Sequence, residues 1–311
     1  LEKIPSLADR DAVTRTVRVE EGDTVVNTAG EVVTLTRGVR VRPAGCTADG
    51  CAVEFKGEPL RMEQMEVAFT LRKDITWADG EPLTADDSVF AFEIASDPAT
   101  PGDHTLVERT ADYYAVGNQR IWWVGLPGFA PPTYYLNFFA PLPRHQLQGR
   151  LPAELAQAED VRRTPLGWGP FVVEEWVAGD HIALTRNPHY FRAGEGLPYL
   201  DRLVFRFASD ANDLLARVLS GECDVAVQDA AFESLLPVLL QSERQGLLQV
   251  TTAPGERWVQ LDFGILTASD YRRANFFGDV RVRQAIAQCI DRRTIVDEVS
   301  YGRSTTPEAY L

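Results

Sequence analysis

Residues 69–89 of the chain read FTLRKDITWADGEPLTADDSV. The first residues are strand-like, because apolar and polar side chains alternate up to Leu71. Asp79-Gly80 follows, a dipeptide typical of tight turns, since glycine readily adopts the positive φ angle that many turns require. Thr84 then opens a run that is typical of a helix N-terminus. The stretch therefore predicts a strand, a turn and a helix, in that order.

The helix is expected to run from Ala85 to about Ser96. Thr84 is its candidate N-cap, and Asp86 and Asp87 place negative charge in the first turn, where it opposes the positive end of the helix dipole. Apolar residues within the range supply surface for packing. Asp97-Pro98 ends the helix, because proline has no N–H to continue the hydrogen-bond ladder.

The region before this helix is rich in β-branched residues. We expect strands within Val32–Arg42, Cys51–Phe55 and Met65–Leu71, separated by turn residues and arranged mostly antiparallel. Residues 98–143 are rich in proline, glycine and aromatic side chains, a composition that predicts further strands joined by long connections.

Cys46 and Cys51 bracket a turn-like tetrad, Thr47–Gly50. This spacing suits a short disulfide in an oxidising compartment, and two reduced thiols in a surface loop are the alternative. The other cysteines are Cys223 and Cys289. No histidine stands at zinc-ligand spacing beside a cysteine pair, so no metal site is expected.

The sequence changes character after residue 200. Leu203–Phe207 and Asp224–Val227 are strand-like, and Asn212–Ser220 between them is helix-like, with Gly221 as its C-cap. A strand, a helix and a strand at this spacing predict a right-handed βαβ unit, which implies a parallel sheet.

The last section predicts two further elements and then two helices in series. A helix is expected over about Phe232–Gln241 and a strand over Arg257–Phe263. Asp279 and Asp291 are the candidate caps of the two final helices, and Gly302 ends the second.

Composition narrows the class of protein. The 311 residues are 45% hydrophobic and 24% charged, which is ordinary for a folded globular chain. The formal charge of −14 would repel phosphate backbones and anionic lipid, so nucleic acid is not an expected partner. The sequence contains no run of about eighteen apolar residues, so no membrane-spanning helix is expected.

Signatures of catalysis are missing from the sequence. It contains no phosphate-binding loop, no HExxH pair and no GxSxG elbow. Gly167-Trp168-Gly169 leads into Pro170 instead of opening a helix, so it is not a dinucleotide motif. We therefore expect no catalytic residues, no cofactor and no enzyme activity.

Several stretches, in chain order, resemble the bacterial extracellular solute-binding proteins of family 5, the peptide/nickel type. The motifs are Phe69–Val89, Pro165–Phe171 followed by Ile182–Phe191, Gly221–Ala226, and Asp279–Arg292. The second motif departs from the family pattern, because Trp168 replaces the customary threonine. The order and number of the matches make a chance resemblance improbable.

The resemblance implies an α/β fold (mixed α+β), a periplasmic-binding-protein-like lobe with mixed sheets and flanking helices. Residues 1–160 would form a β-rich subdomain with one capped helix, 161–275 an α/β subdomain with the βαβ unit, and 276–311 the start of lobe two. Relative to the family the chain is short at both ends, so lobe two is expected to be largely absent.

The implied function is that of a receptor that binds a small solute, expected to be an oligopeptide, and delivers it to the permease of an ABC importer. The residues expected to contact the solute are Trp258 and Gln260 on the predicted strand, Trp168 and Gly169 on the bend, and, as weaker candidates, Trp123 and Gln228. Aromatic rings give a solute large contact area.

The implied location is outside the cytoplasm, either periplasmic or as a cell-surface lipoprotein, with the signal segment outside this chain. Contact with a membrane would then occur only through a lipid anchor or the permease. Two alternatives stay open from the sequence: a hydrolase or other enzyme on a similar scaffold, and the sensory ligand-binding domain of a regulator.

Overall fold

The computed structural model describes residues 1–46, 48–227, 235–253, 259–265 and 274–306. The chain forms two compact units, Leu1–Arg206 and Phe207–Leu311. The expected subdomain boundaries after residues 160 and 275 differ from this division and stay a prediction. Within the described ranges, no helix combines the length and the apolar content that crossing a bilayer needs.

The strands, in chain order, are β1 Ala12–Val19, β2 Thr24–Val26, β3 Val32–Thr34, β4 Arg40–Val41, β5 Val53–Glu54, β6 Leu60–Thr70, β7 Thr110–Val116, β8 Arg120–Gly125, β9 Phe171–Val177, β10 His181–Arg186 and β11 Arg202–Arg206. The helices are α1 Ala85–Ser96, α2 Thr105–Glu108, α3 Arg144–Leu147, α4 Pro152–Leu155, α5 Glu159–Arg162, α6 Ala211–Leu219, α7 Leu236–Arg244, α8 Val280–Cys289 and α9 Arg292–Val299.

The first unit is built on two main sheets. One has the order β1-β6-β8-β7 and the other the order β11-β10-β9, with the small pairs β2-β3 and β4-β5 beside them. Every pairing among these strands is antiparallel. The mostly antiparallel arrangement expected for the first part of the chain is confirmed, as is the α/β class of the lobe.

Helix α1 covers one face of the four-stranded sheet. It spans the predicted residues, Ala85–Ser96, with Thr84 at its N-cap. Ser88 on the helix lies 2.8 Å from the hydroxyl oxygen of Tyr113 on β7. Burial raises the pKa of Tyr113 to about 12, so this hydroxyl stays neutral and joins the helix to the sheet at physiological pH.

The main core lies between these layers. Its fully buried side chains include Phe69 on β6, Trp123 on β8 and Trp77 from the connection before α1. A second cluster, around Val25, Leu35, Val41, Phe55 and Met62, fills the space under the small strand pairs. The first unit thus has separate apolar clusters, one between α1 and the four-stranded sheet and one under the small strand pairs.

The predicted strand over Val32–Arg42 is interrupted. A turn closed by the Val39 N–H donating to the Thr36 carbonyl at 3.1 Å separates β3 from β4, and Gly38 in this turn has φ +95°. β-Branched residues favour extended backbone on both sides, but the glycine at positive φ reverses the chain between them.

The predicted βαβ unit is not formed. Helix α6 is present, with Asp210 as its cap, but Asp224–Val227 is not a strand, and Val225 and Val227 are 75% and 64% exposed. Valine favours an extended backbone, but a β-strand also needs a neighbouring strand to which it is hydrogen-bonded.

Other expectations for the second half are confirmed in part. Asp279 and Asp291 cap α8 and α9, and Gly302 follows the end of α9 with φ +72°. The expected strand over residues 257–263 is wrong for residues 259–263, which form none. Residues 257 and 258 of that strand lie outside the described residues. The helix expected over residues 232–241 corresponds to α7, and its first three residues, 232–234, also lie outside the described residues.

The sequence predicts a core position for Trp176, because a Val-Ala-Gly turn follows it between two strand-like runs. This prediction is wrong, since Trp176 on β9 is 38% exposed. A register shift between β9 and β10 breaks the regular alternation of the strand near this residue. Counting inward and outward positions by a period of two therefore fails here.

The predicted disulfide joins Cys46 to Cys51, whose Cα atoms lie 5.6 Å apart. Both flank a short connection between β4 and β5. Cys223 and Cys289 are free thiols.

We expect replacing both Cys46 and Cys51 by serine to lower the free energy of unfolding by about 2 kcal/mol, because the loop they close is short and its closure entropy small. Urea denaturation would measure the change. Replacing Cys223 and Cys289 by serine is the matched control and should shift stability by less. Equal effects of the two pairs would contradict a bond in the native protein.

His181 at the start of β10 lies between two carboxylates. Its Nδ1 is 2.8 Å from Asp180 Oδ2 and its Nε2 is 3.2 Å from Glu175 Oε1 on β9. Two hydrogen bonds raise the pKa of His181, because both favour the protonated ring. The bond to Asp180 has the larger effect and the bond to Glu175 the smaller.

Because the pKa of His181 is higher in the folded state than in the unfolded state, the protonated ring stabilises the fold. This stabilisation is complete at pH values below the unfolded-state pKa, and it is lost as the pH rises through the folded-state pKa. We expect NMR titration to give His181 a pKa above its ordinary 6.5 and Asp180→Asn to lower it. In His181→Gln this part of the pH dependence of stability should vanish. A pKa at or below 6.5 in the parent protein would refute the pairing.

Candidate functional site

The connection between β6 and α1 folds into a tight turn. The Trp77 N–H donates to the Glu81 carbonyl at 2.8 Å, and the Gly80 N–H donates to the Trp77 carbonyl at 2.9 Å. Gly80 has φ +93°, and a Cβ built on it would lie 3.2 Å from the ring of His189. Glycine is required here both for the backbone angle and for the close approach of the imidazole.

The carboxylate of Asp87 organises this turn. Asp87 is 5% exposed. Its Oδ2 accepts from the Thr84 N–H at 2.8 Å and from Trp77 Nε1 at 3.4 Å, and its Oδ1 accepts from the Arg144 N–H at 3.1 Å. One buried carboxylate thus joins the helix cap, the turn and the start of α3, because it offers acceptor sites on two oxygens.

We expect Asp87→Asn to lower the free energy of unfolding by about 2 kcal/mol or more, because both oxygens face N–H donors and the new amide must turn its NH₂ toward one of them. Asp86→Asn is the matched control in the same helical turn. Asp86 is exposed, so its loss should cost less than about 1 kcal/mol. Equal losses in thermal or urea unfolding would show that the buried carboxylate has no special role.

The bend at residues 165–171 packs against the turn. The Ala78 N–H donates to the Gly167 carbonyl at 2.9 Å. The rings of Trp168 and Trp77 meet edge to face, with centroids 5.1 Å apart. Trp168 is only partly buried, so part of its indole remains at the surface while the rest joins the core.

Asn187, at the end of β10, fixes the other side of this bend. It is fully buried, and its Nδ2 donates to the Gly169 carbonyl at 2.8 Å. Its own N–H donates to the Pro170 carbonyl at 2.9 Å, and its Oδ1 accepts from the His189 N–H at 2.9 Å. Sequence reasoning missed Asn187, and the only signal for it was its place in an Asn-Pro turn.

A polar pair lies at the rim of the turn. His145 Nε2 and Asp79 Oδ2 are 2.8 Å apart, and both side chains are about one third exposed. Burial opposes ionisation of Asp79, but the hydrogen bonds from His145 and from the Glu81 N–H outweigh it and lower the pKa of the carboxyl. The His145 ring also packs near Trp77, with centroids 6.1 Å apart.

The turn and the bend together present a partly exposed indole and main-chain groups, and the side chains around them include the His145–Asp79 pair. Across the described ranges, no group of three or more histidine, cysteine, aspartate or glutamate side chains is arranged to hold a metal ion.

Residues 63–310 match the model of the bacterial extracellular solute-binding proteins, family 5. This stretch includes the turn, α1, the bend and the Asn187 turn. The chain belongs to this family.

Two characterised family relatives illustrate the similarity. The chain is 28% identical over 243 residues to the oligopeptide-binding protein AppA of Bacillus subtilis, covering 75% of this chain and 40% of that protein. It is 25% identical over 254 residues to the periplasmic oligopeptide-binding protein OppA of Haemophilus influenzae, covering 77% of this chain and 44% of that protein. The chain thus spans less than half the length of these relatives.

Among solved structures, the chain is similar to AppA from Bacillus subtilis in complex with a nonapeptide. The match has a TM-score of 0.45 and 25% identity, and it covers 64% of this chain and 36% of that one.

The predicted site residues of this family 5 protein fall in different places. Trp168 and Gly169 lie together on the bend described above. Trp123 is fully buried, and its Nε1 donates to Thr110 Oγ1 at 2.8 Å. It is a core residue, which corrects the expectation that it contacts a solute.

The remaining candidates belong to the second unit. Gln260 is exposed, and its Nε2 donates to Asp262 Oδ2 at 3.1 Å. Trp258 and Gln228 lie outside the described residues. Gln260 does not lie on a strand as expected, because residues 259–263 form none, and its contact with a solute stays a prediction.

Proposed function

We propose that this protein is the extracytoplasmic receptor of an ABC importer, that it binds an oligopeptide without altering it, and that it delivers the peptide to the permease. The observation that carries the proposal is membership of the extracellular solute-binding family over residues 63–310. The names of the relatives AppA and OppA supply the solute class.

Two features of the chain support the proposal. The bond between Cys46 and Cys51 suits an oxidising compartment outside the cytoplasm. The bend offers a partly exposed indole beside open main chain, and extended peptides are commonly bound through their backbone groups.

The test is calorimetry of the polypeptide that the complete gene encodes, titrated with a mixture of short peptides and with a nonapeptide. We expect saturable binding with one peptide per protein. The 311-residue chain is titrated in parallel, because it spans less than half the length of these relatives; weaker binding by this chain would show that residues outside it contribute contacts to the peptide.

Mass spectrometry of the recovered peptide separates the proposal from its main rival. A receptor returns the peptide intact, whereas shortened peptide would establish a hydrolase. Absence of binding to every peptide offered would overturn the proposed solute class.

A further inference from the structure

Residues 167–169 of the bend carry three main-chain N–H donors. In the part of the chain that the structure describes, nothing accepts from the N–H of Gly167, Trp168 or Gly169, or from Trp168 Nε1. These residues are half-buried, so their donors are available to water or to a ligand.

The carbonyl groups of Gly167, Gly169 and Pro170 are paired within the fold, and the pairing of the Gly167 carbonyl fixes where one donor points. The Gly167 carbonyl accepts from Ala78, within the fold. The Gly167–Trp168 peptide bond is trans, because the only cis bond among the described residues is Leu197–Pro198. In a trans peptide the C=O and N–H point in opposite directions. The Trp168 N–H is therefore directed away from the turn that holds the carbonyl.

The two glycines leave this donor accessible. Neither Gly167 nor Gly169 has a φ angle in the left-handed region. A Cβ built on Gly169 would meet nothing within 4 Å, and one built on Gly167 would meet only the Gly169 nitrogen at 4.0 Å. The fold itself does not require glycine at either position, but a ligand that approaches the backbone closely does.

The bend is also held rigid. Asn187, fully buried, holds the Gly169 and Pro170 carbonyls at 2.8 and 2.9 Å, and the rings of Trp168 and Trp77 pack edge to face. Donors that are fixed before binding lose little entropy when a ligand arrives.

We infer that the Gly167–Gly169 bend is a main-chain subsite for the peptide solute: the Trp168 N–H donates to a carbonyl oxygen of the peptide, and the two glycines leave room for its backbone beside the Trp168 indole. The inference rests on the proposed function and specifies which atoms carry it. Recognition through a carbonyl oxygen suits any peptide sequence, since every residue has one.

The test introduces methyl groups at the subsite in the complete polypeptide. Gly167→Ala and Gly169→Ala should each weaken binding of the peptide mixture about tenfold or more, because the methyl group keeps the peptide oxygen from the donor. Both variants should fold like the parent, since neither glycine is needed for backbone angle or packing. Circular dichroism and thermal unfolding verify this.

Gly194→Ala is the matched control. Gly194 lies in the short turn Ala193–Glu195, also without a left-handed φ angle and with nothing within 4 Å of a built Cβ. It lies apart from the bend in sequence and has no part in the proposed subsite, so its substitution should leave binding unchanged.

Amide hydrogen exchange supplies a direct readout, because the Trp168 amide should exchange more slowly when the peptide is bound. Parent-like binding by both alanine variants, or an unchanged exchange rate of the Trp168 amide, would overturn the subsite and leave the receptor function standing. A parent protein that binds none of the peptides would instead overturn the proposed function and the subsite with it.

Discussion

The buried carboxylate of Asp87 is the constraint on which the first unit depends. Removing a carboxylate from water is costly unless donors replace the solvent, and here the donors come from the Thr84 cap, the Trp77 indole and the Arg144 backbone. Each donor lies on a different segment. Satisfying one charge therefore fixes the start of α1, the turn before it and the chain that enters α3, and the position of Trp77 follows from the same contacts.

Trp77 in turn positions the candidate site. Its ring supports Trp168 from one side, while the backbone of the same turn holds the Gly167 carbonyl through Ala78. Asn187 holds the Gly169 carbonyl from the other side. The fold thus pairs the Gly167 and Gly169 carbonyls, whereas the Trp168 N–H has no acceptor among the described residues. In the proposed receptor, the Trp168 N–H beside the indole ring would hold a backbone oxygen of the peptide without any chemistry on it.

Much of this arrangement was predictable because its causes are local. Helix α1, its Thr84 cap and the caps at Asp279 and Asp291 follow from side chains that satisfy N–H groups within a few residues. The bond between two cysteines five positions apart is likewise set by a short loop. Of the candidate site, Trp168 and Gly169 were identified from the motif, but the role of Asn187 was not, because the Gly169 carbonyl that its side chain holds lies eighteen residues away.

The sequence by itself determined the family, the capped helices, the antiparallel character of the first region and the motif that carries the bend. Only the tertiary structure decided that Trp123 is core while Trp176 is exposed, that Asp224–Val227 forms no strand, and that the Gly167 and Gly169 carbonyls are paired within the fold. The physical reason is the same in each case. Propensities and caps act between neighbours along the chain, whereas burial and strand pairing depend on which distant segment supplies the contact.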